Sequence, residues 1–225
     1  MRTVRFGAFL LNLLYPNCCG CCQRRIPYDA LICTDCANEL SLLRVSNEDW
    51  KKQNPETEVP WDGSAAVCKY AGAAKAGILA AKDGGCNFVR FIGAELAESV
   101  RSMMQDTLPD CVTWVPVTKR RRLEQGYAHS ERLAKACAAA LGVPATGKLL
   151  EEHAGKLRQH ELPKELRALY ADRFTHTNVR LDGKTVLLCD DVLTTGSTLM
   201  RCTRQLREAG AEKVYIAVIA YRIKE

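Results

Sequence analysis

The chain has 225 residues, enough for one α/β domain and a small appendage, and its 47% hydrophobic content can furnish a sizeable core. Basic residues (32) outnumber acidic ones (26), and the net charge of +6 suits an anionic ligand without demanding nucleic acid. Of 12 cysteines, half crowd between Cys18 and Cys36 and the rest stand singly among apolar residues, a distribution that argues for metal binding and against a secreted disulfide scaffold.

Near the N-terminus, Arg2 and Arg5 precede an apolar stretch, Phe6 to Leu14, that loosely mimics a signal peptide. Asn12 interrupts it, no small-residue cleavage site follows, and it is too short to span a bilayer. Phe6, Phe9, Leu10, Leu13 and Leu14 fall at i, i+3, i+4, i+7 and i+8, which predicts an amphipathic helix packed on its own protein. A cytoplasmic chain with no membrane span is expected.

Residues 16–36 read P-N-C-C-G-C-C-Q-R-R-I-P-Y-D-A-L-I-C-T-D-C. One Cys-x-x-Cys pair is Cys33 and Cys36; the other is either Cys18 and Cys21 or Cys19 and Cys22. Two such knuckles, about ten residues apart, can supply four thiolates to a tetrahedral Zn²⁺. So short a segment has too little core to fold alone, and the metal would furnish its folding energy. No histidine lies near, so the zinc is expected to be structural. Residues 44–64 are polar, with Pro55, Pro60 and charges of both signs, and read as a linker or exposed excursion that Trp50 and Trp61 could dock onto a neighbour. The division expected is 1–43 for the helix and cysteine module, 44–64 for the linker and 65–225 for the larger domain.

Within that domain, Ala65 to Tyr70 reads as a strand, Ala73 to Lys82 as a short Ala-rich helix, and Phe88 to Met104 as a core helix with Phe91, Ile92, Leu96 and Val100 at helical spacing. Cys111 to Val117 is a strand with Pro116 at its end. The basic run Lys119, Arg120, Arg121, Arg122 follows at the end where α/β sheets place their ligands. Tyr127 to Leu141 is helical, closed by Gly142 and Pro144. Residues 151–178 show no clear period; they form a candidate flap in which His153, His160 and His176 read as exposed loop residues, and Arg158 and Arg167 as modest candidates for phosphate contact.

Val186 to Leu199 reads V-L-L-C-D-D-V-L-T-T-G-S-T-L. A short apolar run, Val186 to Cys189, suits a strand buried on both sides, with Asp190 and Asp191 at its end. Thr194, Thr195, Gly196, Ser197 and Thr198 then form a hydroxyl-rich loop, followed by a helix with Leu199, Cys202, Leu206 and Ala209 on one face and Gly210 as its stop. Successive N–H groups at a helix N-terminus bind an anion, while paired carboxylates suit sugar hydroxyls and, through water, a magnesium ion. The pattern is a recipe for a sugar phosphate. The plainer reading, a buried strand with an Asp-Asp helix cap, leaves the register of the whole string unexplained. Lys213 to Tyr221 completes a β-α-β unit.

This stretch resembles, position for position, the phosphoribosyl pyrophosphate (PRPP) signature of the type I phosphoribosyltransferases. The resemblance implies a parallel α/β fold and phosphoribosyl transfer with Mg²⁺. It also implies a 5′-phosphate on Thr194 to Thr198, ribose hydroxyls on Asp190 and Asp191, and pyrophosphate near Lys119, Arg120 and Arg121.

A narrower likeness runs from Leu11 to about Ile219. The apolar helix and proline, the two cysteine pairs, V-P-V with basic residues, Gly-aromatic and the PRPP loop follow in the order of the ComF family, competence-associated phosphoribosyltransferase-like proteins with an N-terminal zinc finger. That likeness implies Cys19 and Cys22 as the first pair, and a competence-protein or single-stranded DNA partner as an alternative to catalysis. The chain departs from the family where R-G-F-N-Q is expected, having Gln125, Gly126, Tyr127, Ala128 and His129. It departs again at Tyr170, where the family has Asn after a Gln-x-x-Leu and an Arg that resemble Gln159, Leu162 and Arg167.

Overall fold

The computed structural model describes residues 16–105, 107–117, 129–152 and 174–223. The predicted N-terminal helix, the basic run with Lys119, Arg120 and Arg121, Gln125 to Ala128 and most of the predicted flap lie outside the described residues.

The described strands are β1 (Gly63–Lys69), β2 (Cys111–Trp114), β3 (Leu150–Glu152), β4 (Phe174–His176), β5 (Thr185–Leu193) and β6 (Lys213–Tyr221). The helices are α1 (Thr34–Leu42), α2 (Asp49–Gln53), α3 (Gly72–Lys82), α4 (Asn87–Met104), α5 (His129–Leu141) and α6 (Ser197–Glu208). A parallel sheet runs in the order β1-β6-β5-β2, with β3 and β4 as a separate antiparallel pair. Successive residues of the central strands feed opposite faces, as the two-residue period requires. Leu187, Cys189, Ala217 and Ile219 join α3, α4 and α5 on one side. Val186, Leu188, Val214, Ile216 and Val218 join α6 and the β3–β4 pair on the other. No described helix is long and apolar enough to cross a membrane.

This layering fixes where a ligand can sit. Strands β2 and β5 are neighbours, yet the next described helix after β2, α5, packs on one face, and α6, which follows β5, packs on the other. Chains that diverge in this way open a crevice at the carboxyl ends of the two strands.

Two sequence expectations change. Strand β5 does not end at Cys189; it continues through Asp190 and Asp191 to Leu193, with Asp190 paired to Val218 and Val192 to Ala220 of β6. Its partner β2 stops at Trp114, opposite Cys189, so among the described residues the acidic pair stands on a stretch of strand paired to β6 alone. Residues 44–64 are more than a polar excursion. Arg44 bridges to Cys68 of β1, Asp62 exchanges backbone and carboxylate bonds with Val214 at 2.9 and 2.7 Å, and Trp50 and Trp61, 1% and 7% exposed, enter the core beside Leu193 and Leu199. Polar neighbours hide this in the sequence, because one buried tryptophan removes more apolar surface than several charged residues expose.

Candidate functional site

The crevice at the end of β5 has a volume of about 280 Å³. Asp190 and Asp191 form its floor, Val115, Pro116 and Val117 one wall, and Glu152 and Phe174 of the β3–β4 pair another. The Asp191 N–H donates to Asp190 Oδ1 at 2.9 Å and the Val192 N–H to Asp191 Oδ1 at 2.7 Å. The second oxygen of Asp191 meets the Lys82 ammonium at 2.7 Å, whereas no donor among the described residues reaches that of Asp190. Burial first, and then the adjacent Asp191 charge, push the Asp190 carboxyl up to about 7; the Asp191 N–H and Lys82 oppose them.

Lys82, the last residue of α3, and His129, the first of α5, were not singled out by the sequence as site residues, yet both line this crevice. Burial and then the Lys82 charge hold the His129 imidazole below its ordinary range, so it is neutral at pH 7. Ser130 anchors the start of α5 by donating to the Val115 carbonyl at 2.8 Å. His129 is the last residue of the stretch where the chain departs from the ComF pattern, and that departure was the signal available for it.

The hydroxyl-rich loop adjoins the doublet over a smaller hollow of about 50 Å³ that shares Asp190 and Thr198 with the crevice. Thr194, Thr195 and Ser197 are exposed, and Gly196 takes φ +76°, the left-handed conformation in which glycine alone is unstrained. Among the described residues no acceptor is found for the N–H groups of Thr194, Thr195, Gly196, Thr198 or Leu199, and Ser197 N–H meets only Thr195 Oγ1 at 3.5 Å. Five donors with no acceptor among the described residues thus cluster at the start of a helix beside two carboxylates, an arrangement chemically suited to an anionic group and a polyhydroxyl group side by side.

The cysteine segment makes a second, separate cluster. The sulfurs of Cys19, Cys22, Cys33 and Cys36 all lie within 4.8 Å of one another and could hold a zinc ion. Cys18 stands outside the group with its thiol toward the Pro16 carbonyl, and Cys21 is buried, its thiol pushed up to about 12 chiefly by burial. Of the two first pairs the spacing allowed, the geometry selects Cys19 and Cys22. Burial would raise the Cys19 thiol, but N–H groups of Cys21, Cys33 and Cys22 bring it down to about 6, so it is a thiolate at neutral pH. The segment seats on α4: a Cβ on Gly20 would stand 2.4 Å from the Phe88 nitrogen, and Asn87 donates to Asn17 and to the Cys18 carbonyl at 2.7 and 2.9 Å.

Comparison with known proteins agrees with this architecture. The phosphoribosyl transferase domain family matches residues 128–225. Competence protein F of Haemophilus influenzae is 25% identical over 92% of this chain and 91% of its own length. DNA utilization protein YhgH of Salmonella typhimurium is 28% identical over 48% of each chain. Ribose-phosphate pyrophosphokinase of Pyrococcus furiosus is 44% identical over 45 residues, 20% of this chain and 16% of that protein. The chain thus spans about half or less of the YhgH and pyrophosphokinase relatives. Among solved structures, glutamine PRPP amidotransferase from B. subtilis, complexed with ADP and GMP, gives a TM-score of 0.43 at 24% identity, over 63% of this chain and 27% of that one.

Proposed function

We infer that this chain, which carries a match to the phosphoribosyl transferase domain, a full-length likeness to competence protein F and an N-terminal cysteine cluster, is a phosphoribosyltransferase-like protein of the ComF type, that the crevice binds PRPP and that the protein transfers its phosphoribosyl group to an acceptor nucleophile. The observation that carries this reading is the set of amides of Thr194, Thr195, Gly196, Thr198 and Leu199, without an acceptor among the described residues, immediately beside Asp190 and Asp191. The amides and the hydroxyls of Thr194, Thr195, Ser197 and Thr198 receive the 5′-phosphate, with Gly196 letting the backbone approach. Asp190 and Asp191 accept the ribose hydroxyls. Lys119, Arg120 and Arg121 meet the pyrophosphate, and Lys82 adds a cation next to the doublet.

The chemistry follows from those positions. As the bond from C1 to pyrophosphate breaks, positive charge builds on the sugar, and the carboxylates next to it stabilise that charge. The basic residues stabilise the departing pyrophosphate. The oxygen-only donors of Asp190 and Asp191 fit a magnesium ion held through water, which would add charge neutralisation between ribose and pyrophosphate. Cys19, Cys22, Cys33 and Cys36 would hold Zn²⁺ in a purely structural role.

Calorimetric titration with PRPP and Mg²⁺ tests the assignment. Asp190→Asn with Asp191→Asn weakens PRPP by about a hundredfold, the loss of two charge-assisted contacts, while inorganic phosphate still binds the loop. Unchanged PRPP affinity in that double variant sinks the ribose role. Pyrophosphate release on adding nucleobases or amines identifies the acceptor. The names of two relatives, a competence protein and a DNA utilization protein, favour a second reading: a non-catalytic PRPP or nucleotide sensor in DNA uptake, acting through a protein partner or single-stranded DNA. Mg²⁺-dependent thermal stabilisation by PRPP without pyrophosphate release, together with steeply salt-dependent binding of single-stranded DNA, would select it.

A further inference from the structure

The phosphate loop is held from behind by the segment that reads as a linker. Trp50 of α2, 1% exposed, donates its indole N–H to the Thr194 carbonyl at 2.8 Å. Trp61 lies at a centroid distance of 5.8 Å from Trp50, and a Cβ built on Gly196 would stand 3.0 Å from its ring. The two tryptophans therefore grip successive points of one loop, the first by a hydrogen bond and the second by contact. The segment that carries them is itself fixed: Ser46 donates its N–H and its hydroxyl to the Asp49 carboxylate, each at 2.8 Å, the Asn47 carbonyl accepts from the Tyr221 hydroxyl at 3.2 Å, and Asp62 is tied to Val214.

The consequence lies in the peptide plane. In a trans peptide the carbonyl of one residue and the N–H of the next point in opposite directions. Fixing the Thr194 oxygen toward the buried indole turns the Thr195 N–H away from the core, into the exposed face of the loop. Rotation of that plane would present an oxygen to an incoming anion in place of a donor, which repels it. We propose that Trp50 is a positioning residue for the phosphate loop, holding the Thr194–Thr195 peptide with its N–H outward, so that residues 44–64 belong to the binding machinery. The proposal rests on the phosphate-binding reading of the loop and adds a specific requirement to it.

The test is Trp50→Phe, which keeps an aromatic ring in the core and removes the donor, titrated calorimetrically with ribose 5-phosphate alongside the wild type. Expected is affinity about tenfold weaker, the effect of one lost oriented hydrogen bond. Equal affinity in the two proteins, even with a lowered melting temperature, leaves Trp50 a merely structural residue and overturns the proposal. Should the variant not fold, ¹⁵N spectra of the wild type decide. A Trp50 indole resonance that moves with ribose 5-phosphate in step with the Thr195 amide supports the brace, and an indole that stays fixed while that amide moves overturns it. A wild type that does not bind ribose 5-phosphate at all removes the phosphate cradle and the brace with it.

Discussion

Two loops of this chain gather backbone amides, and they use them in opposite ways. Around Cys19 the N–H groups of Cys21 and Cys33 donate to its sulfur at 3.4 and 3.3 Å, so the anion they stabilise is part of the protein. Around Gly196 the amides of Thr194, Thr195, Gly196, Thr198 and Leu199 have no acceptor among the described residues, which leaves them open to an anion from outside. The first loop also turns its apolar side into the core, with Cys19, Cys21 and Cys36 buried among α3 and α4, while the second keeps Thr194, Thr195 and Ser197 exposed. A loop whose donors are already satisfied contributes to stability. One that leaves them vacant lowers stability until a ligand arrives, which is the ordinary cost of a binding site.

The contrast breaks most visibly at the cysteines. Cys33→Ser, or an excess of chelator on the wild type, should lower the melting temperature by roughly 10 °C or more, because metal binding supplies folding energy to a segment with little core of its own. Scanning fluorimetry with a colorimetric zinc-release assay checks this. Cys18→Ser serves as the control: it should keep both metal and stability, since Cys18 lies outside the cluster. Metal loss on Cys18→Ser would contradict the pairing of Cys19 with Cys22.

A smaller effect is expected on the other side. Gly196→Ala puts a side chain at φ +76° and 3.0 Å from the Trp61 ring. The strain should cost about 1–2 kcal/mol in a urea melt. Ribose 5-phosphate affinity should fall more than tenfold, since displaced amides no longer converge on one anion. Retained affinity would mean that the amides of this loop are not the cradle.

How much of this was legible in the sequence follows the same division between local and distant. The apolar run before Asp190, the T-T-G-S-T loop and the helical spacing of Leu199, Cys202 and Leu206 are local patterns, and each is present as an element in the structure. Strand β6 runs from Lys213 to Tyr221, as its β-branched and aromatic run implies. Contacts across the chain left no such trace. Lys82 ends an alanine-rich helix whose pattern says nothing about Asp191, and the polarity of residues 44–64 conceals the reach of Trp50 to Thr194. Spacing also could not choose between Cys18 with Cys21 and Cys19 with Cys22, because both have the same interval. The choice depends on which sulfurs the chain turns toward Cys33 and Cys36.

The smallest effect sharpens the comparison through pH. Asp190 titrates at about 7 in the folded protein, raised by burial and by Asp191, and at about 3.9 when unfolded. Between those values the folded state binds more protons than the unfolded one, so this residue's contribution makes stability fall as pH rises, with the full penalty present above about pH 7. Asp190→Asn cannot ionise and removes the penalty. Its melting temperature should match the wild type's near pH 4 and exceed it by roughly 2–4 °C at pH 8, equivalent to about 1 kcal/mol once partial solvent access to the carboxylate is allowed for. A ligand that engages the ionised doublet should close the gap at pH 8, since ribose hydroxyls give the wild-type carboxylate the partners it lacks and give the amide variant less. If the variant were less stable than the wild type at pH 8, Asp190 would be a structural carboxylate like Asp62, and the doublet would belong with the cysteine loop as part of the scaffold.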